Sequence, residues 1–85
     1  MSPAQCRSGR AWLGWSQDDL AKAAKVGLST VKDFEGERRT PIQATQMAMR
    51  VALEGAGIGF SFADDNGVKR ACGITYADPD KGTEH

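Results

Sequence analysis

The sequence predicts a mainly α-helical domain in which four short helices are followed by a small β-hairpin. Helix-start signals recur through the first 57 residues, and glycines or prolines separate the segments that they begin. Beyond residue 57, apolar residues alternate with small or polar ones, which is the period of a half-buried strand. A chain of 85 residues supports one hydrophobic core, so we expect a single domain.

Capping patterns predict where three of the helices begin. A serine followed three residues later by glutamine is the capping-box pattern, and Ser2 has it, with a proline at the first helical position. Ser16 begins a second helix with Asp19 in the same relation, and Thr40 followed by Pro41 begins a fourth. With a third helix after a glycine cap, the predicted helices run over residues 3–13, 17–25, 28–35 and 41–54.

The hairpin is predicted from three apolar residues and one turn. Ile58, Phe60 and Phe62 alternate with small or polar residues, as in a strand with one buried face. An Asn-Gly pair at positions 66 and 67 is favoured in tight hairpin turns, and a second strand follows within residues 68–77. We expect the three apolar side chains to pack over the helices or to form a seam between two copies of the chain.

Composition argues against several classes of protein. Hydrophobic residues make up 40% of the chain and charged residues 26%, which is ordinary for a globular protein. No apolar run approaches the roughly 18 residues of a membrane span, and the N-terminus lacks the apolar core of a signal peptide. One histidine and two cysteines leave little for catalysis, a zinc site or a disulfide framework. We therefore expect a cytoplasmic protein that is not an enzyme and has no cofactor, no metal and no membrane segment.

The formal net charge of zero conceals an asymmetry along the chain. Residues 1–50 carry eight lysines and arginines against five acidic residues, whereas residues 51–85 carry three against six. The first part is therefore +3 and suits a phosphate-bearing partner, and the second part is −3 and would repel one.

A short helix, a three-residue connection and a second short helix form the helix-turn-helix geometry, whose second helix can enter a DNA major groove. The segments RAWLGWSQDDLA from Arg10 and AKVGLSTVKDFE from Ala24, closed by RRTP at residues 38–41, resemble the lambda-repressor-like family of Cro, phage repressors and XRE regulators. The resemblance covers about residues 4–57. The chain is similar to a short subtype of this family, in which one long helix and a small hairpin replace the usual last helices.

These patterns and the resemblance together divide the chain into three parts. Residues 1–57 are expected to form the helix-turn-helix domain, 58–77 a β-hairpin extension of that domain and 78–85 a flexible tail. Arg10 and Glu35 match family positions that pair between the first and third helices, so we expect a structural ion pair that fixes the recognition helix over 28–35.

The resemblance also implies a set of DNA-binding residues. It assigns base or phosphate contacts to Gln17, Leu28, Ser29, Lys32, Asp33, Arg38 and Arg39. Of the residues on the reading surface, Lys32 alone is a common base reader, and Asp33 faces repulsion from phosphates. Lys25 is a departure, because the family often has a glycine with left-handed backbone at this position.

Two functions remain open. The first is a small bacterial transcriptional regulator, associated with the nucleoid, that binds double-stranded DNA sequence-specifically, as a homodimer on an operator. The alternative is a helix-turn-helix used for protein interaction, an antiactivator that binds and inhibits a transcriptional activator, such as those of rhizobial type that control transfer of mobile elements. Zero net charge and an acidic hairpin favour the alternative, with Trp12, Leu28 and Asp33 as partner-binding residues.

Several apolar residues exceed what one small core needs. Two tryptophans cannot easily both be buried here, so we expect Trp12 to be exposed as a partner anchor. Met47 and Val51 likewise are more apolar residues than one buried face of the fourth helix needs. Cys6 is expected in the core of the first helix, and Cys72 as an unpaired thiol on the second strand.

Overall fold

The structure, a computed structural model, describes residues 1–65 and 68–76, with side chains for residues 1–62 and 73–76. The described residues form α1 (Pro3–Leu13), α2 (Gln17–Ala24), α3 (Leu28–Glu35), α4 (Gln43–Gly55), β1 (Ile58–Asp65) and β2 (Val68–Tyr76). The mainly helical class with a two-stranded antiparallel hairpin is confirmed. The predicted turn at positions 66 and 67 and the predicted tail over 78–85 lie outside the described residues.

The first two helices begin at the predicted caps. The Ser2 hydroxyl accepts from the Gln5 backbone N–H at 3.0 Å, and the Gln5 side chain accepts from the Ser2 N–H at 2.9 Å. Ser16 and Asp19 make the same reciprocal pair at 3.0 and 2.9 Å. Each cap satisfies backbone donors that a helix start otherwise leaves unpaired, which is why the sequence locates both helices closely.

The predicted start of the fourth helix is wrong by two residues. The helix begins at Gln43 after Ile42, with no side-chain cap. The backbone N–H groups of Arg38 and Arg39 both bond to the Asp33 carbonyl, at 2.8 and 3.4 Å, so the chain folds back on the end of α3. Thr40 and Pro41 are used in this connection rather than in a helical turn.

The core draws on every helix and on the first residue of β1. Its buried apolar residues are Cys6, Leu20, Ala21, Val31, Phe34, Met49, Leu53 and Ile58. The predicted core position of Cys6 is therefore confirmed. Gly9 lets the hairpin approach α1, because a Cβ at this position would lie 3.3 Å from Ile58 Cγ2.

The hairpin register shifts by one residue in its middle. Ser61 pairs with Gly73 but Phe62 pairs with Ala71, so Cys72 has no opposite residue. At this shift the Gln5 side-chain N–H₂ donates to the carbonyls of both Ser61 and Gly73, at 2.9 Å each. The buried amide of α1 thus joins both strands where their ladder is interrupted. The Cys72 side chain, predicted as an unpaired thiol, lies outside the described side chains.

The expected packing of the three strand residues holds for two of them. Ile58 is buried and Phe60 is half-buried against the core. Phe62 is 39% exposed, and its ring lies 5.6 Å from the Arg50 guanidinium, which also lies 5.5 Å from the Phe60 ring. Phe62 is therefore the one of the three that stays exposed, with the Arg50 side chain of α4 over its ring, and the seam between two copies stays a prediction. Of the helices described, none is long and apolar enough to cross a bilayer.

Candidate functional site

A buried carboxylate at the end of α3 receives donors from α1 and α2. Glu35 is 4% exposed. Arg10 donates to both of its oxygens at 2.7 Å, from Nε and from one terminal nitrogen. The side-chain N–H₂ of Gln17 donates to the same carboxylate at 3.2 Å. The Cys6 thiol also donates to it, at 3.1 Å. The structure thus places Arg10 and Glu35 in a bidentate ion pair and adds two donors to it.

The protonation states of this cluster follow from its contacts. Burial raises the pKa of Glu35, but hydrogen bonds from Arg10, Cys6 and Gln17 outweigh it and hold the pKa below its ordinary value. The pKa of the Cys6 thiol is raised far above its ordinary value, mainly by burial and to a smaller extent by its hydrogen bond to Glu35. The carboxylate is therefore ionised and the thiol neutral at physiological pH. Among the described residues, no group of three or more histidine, cysteine or acidic side chains lies together as a metal site requires.

Two arginines of α1 contact neighbouring elements around this cluster. Arg10 also donates to the Trp15 carbonyl at 2.8 Å, in the connection between α1 and α2. Arg7 donates to the backbone carbonyl of Glu35, at the C-terminal end of α3. A cation at this end of a helix opposes the negative end of its dipole. The position of α3 relative to α1 and α2 is thus fixed by side-chain bonds as well as by the core.

The outward residues of α3 differ in accessibility. Ser29 and Lys32 are exposed. Leu28 is half-buried against the core, so only part of its side chain is accessible to a partner. Asp33 is half-buried and lies 3.9 Å from Arg38, whose side chain is 74% exposed. Arg38 thus partly neutralises the acidic residue on this face.

A polar cleft of about 370 Å³ lies between α1, the start of α2 and the end of α3. Its charged lining residues are Arg7, Arg10, Lys32, Glu35 and Arg38. Four cations against one anion leave +3 in a chain whose formal net charge is zero. Gln17 and Gly36 complete the lining. The structure therefore brings together three of the predicted DNA-binding residues, Gln17, Lys32 and Arg38.

The other predicted residues lie elsewhere. Arg39 is exposed and lines a second cleft of about 370 Å³ with Ser29, Asp33 and Ile42. Trp12, a predicted partner anchor, lines a separate apolar groove with Ile74 and Tyr76. Of the set predicted for a protein partner, Trp12 and Asp33 thus line different grooves, and Leu28 lines neither of the two.

The apolar groove has an aromatic wall and a volume of about 460 Å³. Trp12 is 65% exposed, and its ring centroid lies 5.7 Å from that of Tyr76. Met47 and Val51 are also exposed, on α4. The expected surplus of apolar residues therefore lies on the surface.

Sequence reasoning missed three contributors to these sites. Gln5 was read as a capping residue, yet it also holds the hairpin. Cys6 was read as a core residue, yet its thiol donates to Glu35. No prediction concerns Arg7, although its spacing of three residues from Arg10 puts both on one face of α1 and is a signal that could have found it.

Comparison with known proteins adds no relative. A scan of the sequence against protein-family models finds no match, and a search of the curated proteins finds none either. The resemblance to lambda-repressor-like proteins therefore rests on the motif residues themselves, and assignment of a function rests on the geometry of the cleft and of α3.

Proposed function

We propose that this protein is a lambda-repressor-like helix-turn-helix regulator that binds duplex DNA, with α3 as its recognition helix. The basic cleft carries this proposal. In a chain of zero net charge, +3 is concentrated in one cleft that borders α3, and phosphate neutralisation supplies much of the affinity of DNA-binding proteins.

The connection between α2 and α3 also supports the proposal. It has three residues, and Lys25 at its start has φ of 58°, in the left-handed region. The turn that the family makes with glycine is thus available to this lysine. The short connection keeps α2 and α3 adjacent, as a helix that supports another in the major groove must be.

Each of the predicted DNA-binding residues has a role that its chemistry allows. Lys32 and Ser29 would read base edges, and the accessible part of Leu28 would contact a thymine methyl group. Asp33 would accept from a cytosine amine, with Arg38 reducing its repulsion by phosphates. Phosphate contacts fall to Gln17, Arg38 and Arg39. Binding as a homodimer would place two such helices on the halves of a palindromic operator.

The test is a salt titration of binding to duplex DNA from the region upstream of the gene. We expect the affinity to fall steeply with salt. Neutralising Arg38 or Arg39 to glutamine should weaken binding to all sequences alike and lower the salt slope by about one unit each. Lys32→Gln should in addition change the base preference. Lys22→Gln, on an exposed part of α2, is the control for net charge.

Absence of binding at low salt would contradict the proposal. Binding with an unchanged slope in both arginine variants would contradict the assigned phosphate contacts while leaving DNA binding itself standing.

The aromatic groove favours one second candidate function, the capture of a protein partner. Partner anchors are enriched in tryptophan and tyrosine, and Trp12 and Tyr76 are both exposed here. An antiactivator that binds a transcriptional activator would use such a groove. Pull-down of an activator by the wild-type chain, lost in Trp12→Ala but kept in Arg38→Gln, would favour this candidate over DNA binding.

A further inference from the structure

We infer that Arg7 and Arg38, with the charge of Lys32 beside them, form a binding site for one phosphoryl group next to Gly36 at the end of α3, and that a phosphate of the DNA backbone occupies it. The inference rests on the proposed function, since it names a contact of the same surface. The sequence motifs assign no role to Arg7.

The charge that is free in the cleft comes from these three residues. The charge of Arg10 is matched by Glu35, which it contacts through both carboxylate oxygens at 2.7 Å. Among the described side chains, the acidic partner of Arg38 is Asp33 at 3.9 Å, which exceeds hydrogen-bonding distance. The exposed Lys32 and Arg7 have no acidic side chain within ion-pair distance among the described side chains. Even with Asp33 counted, the surface keeps a net charge of +2.

Arg7 is held in place before any ligand arrives. One terminal nitrogen of its guanidinium donates to the Glu35 carbonyl, while the side chain as a whole remains exposed. A guanidinium has five N–H donors, so this bond leaves others for a ligand. Fixing the side chain in advance reduces the entropy that binding costs, and the fork geometry of the remaining donors matches phosphate oxygens.

Gly36 lines this cleft beside Arg38, and a side chain at its position would be crowded. A Cβ here would lie 3.1 Å from the Lys32 carbonyl and 3.7 Å from Arg38 Nε. A side chain would therefore intrude on the space next to the Arg38 guanidinium. Its φ of −84° is one that any residue adopts, so the backbone does not require glycine at this position.

The experiment compares Arg7→Gln with wild type in the DNA salt titration, with Lys22→Gln as the matched control. Both variants remove one positive charge, but Lys22 lies on an exposed part of α2 beside Asp18. We expect Arg7→Gln to lower the salt slope by about 0.9 and the affinity by roughly eight-fold at 0.1 M salt. Lys22→Gln should keep the wild-type slope. Arg7→Lys should keep the slope because it keeps the charge, which a purely structural role of the guanidinium would not allow.

If wild type binds DNA and Arg7→Gln keeps its slope, the inference is overturned and the proposed function stands. A parallel titration with inorganic phosphate, followed by the NMR shift of the Gly36 amide, separates the remaining outcomes. If wild type binds no DNA but phosphate shifts this amide in wild type and not in Arg7→Gln, the site recognises a free phosphoryl group and the proposed function fails. If neither ligand binds, both fail.

Discussion

The cluster around Glu35 and the hairpin are attached to the same helix by different means. In the cluster, a buried carboxylate receives four side-chain hydrogen bonds from α1 and α2. The hairpin is attached mainly by the buried Ile58 and by one amide, that of Gln5. Around the cluster the exposed groups are charged, whereas around the hairpin the aromatic rings of Trp12, Phe62 and Tyr76 are exposed.

The difference shows how so small a chain divides stability from recognition. A buried charge is tolerated only when its donors are all present, so the cluster specifies one arrangement of the helices. The hairpin contributes one fully buried residue to the core and leaves the rings of Phe62 and Tyr76 exposed. We therefore expect mutations in the cluster to affect the whole fold, and mutations at the hairpin to act locally.

The largest effect is expected on breaking the ion pair. Arg10→Ala and Glu35→Ala should each lower the free energy of unfolding by about 3–5 kcal/mol, because each leaves a buried group without its partner. The double variant should lose less than the sum of the two, since the second substitution removes the group that the first left unpaired. Urea denaturation of the four proteins measures this coupling.

A matched control for this cycle is the exposed pair of α2. Lys22 lies 3.0 Å from Asp18, and their side chains are 77% and 51% exposed. Solvent screens such a pair, so its coupling should be far weaker than that of Arg10 with Glu35. Equal coupling in the two cycles would show that burial of Glu35 does not matter.

The next largest effect is expected from Gln5→Leu. It removes the donors of two strand carbonyls and the acceptor of the Ser2 N–H. These bonds are only partly buried, so water can replace part of the lost bonding and we expect a total loss of about 1–3 kcal/mol. Hydrogen exchange should accelerate first in the hairpin. Gln46→Leu is the control, because its amide donates to the Pro41 carbonyl near α4. Faster hairpin exchange in both variants would mean that Gln5 does not anchor the strands specifically.

A smaller, two-sided effect is expected from pH. The pKa of Glu35 is lowered in the folded state, so its contribution to stability is present above the ordinary value of 4.5 and is lost as pH falls through the folded value. The pKa of Cys6 is raised, so its contribution is present below the ordinary value of 9.0 and is lost as pH rises above it. Denaturation midpoints against pH should show both losses, and Cys6→Ala should lack the alkaline one.

The local elements of this fold could be predicted because their causes lie within a few residues. The caps at Ser2 and Ser16 and the glycine at position 14, with φ of 71°, act over one helical turn. The pairing of Arg10 with Glu35 was accessible only through a family resemblance, because no spacing rule relates residues 25 apart.

The remaining features depend on contacts across the chain. Gln5 bonds to carbonyls 56 and 68 residues away, and a capping box gives no sign of this second use. The helix α4 starts two residues later than predicted because the Asp33 carbonyl accepts hydrogen bonds from the connection that precedes it. The register shift at Ser61 has no marker in the sequence that separates it from regular alternation.

The smallest effect is expected from Trp12→Ala. Its ring makes a tilted contact with Tyr76 at 5.7 Å, and aromatic pairs of this kind stabilise a fold by about 0.5–1.5 kcal/mol. Because Trp12 is 65% exposed, we expect the loss of unfolding free energy to lie at the low end of this range. Hydrogen exchange should rise at the Tyr76 end of β2 and stay unchanged around Glu35. Met47→Ala, with 51% exposure on α4 and no place in the groove, is the control. A loss as large as that of Glu35→Ala would contradict the contrast drawn here, because the aromatic groove would then stabilise the whole fold instead of being free to bind a partner.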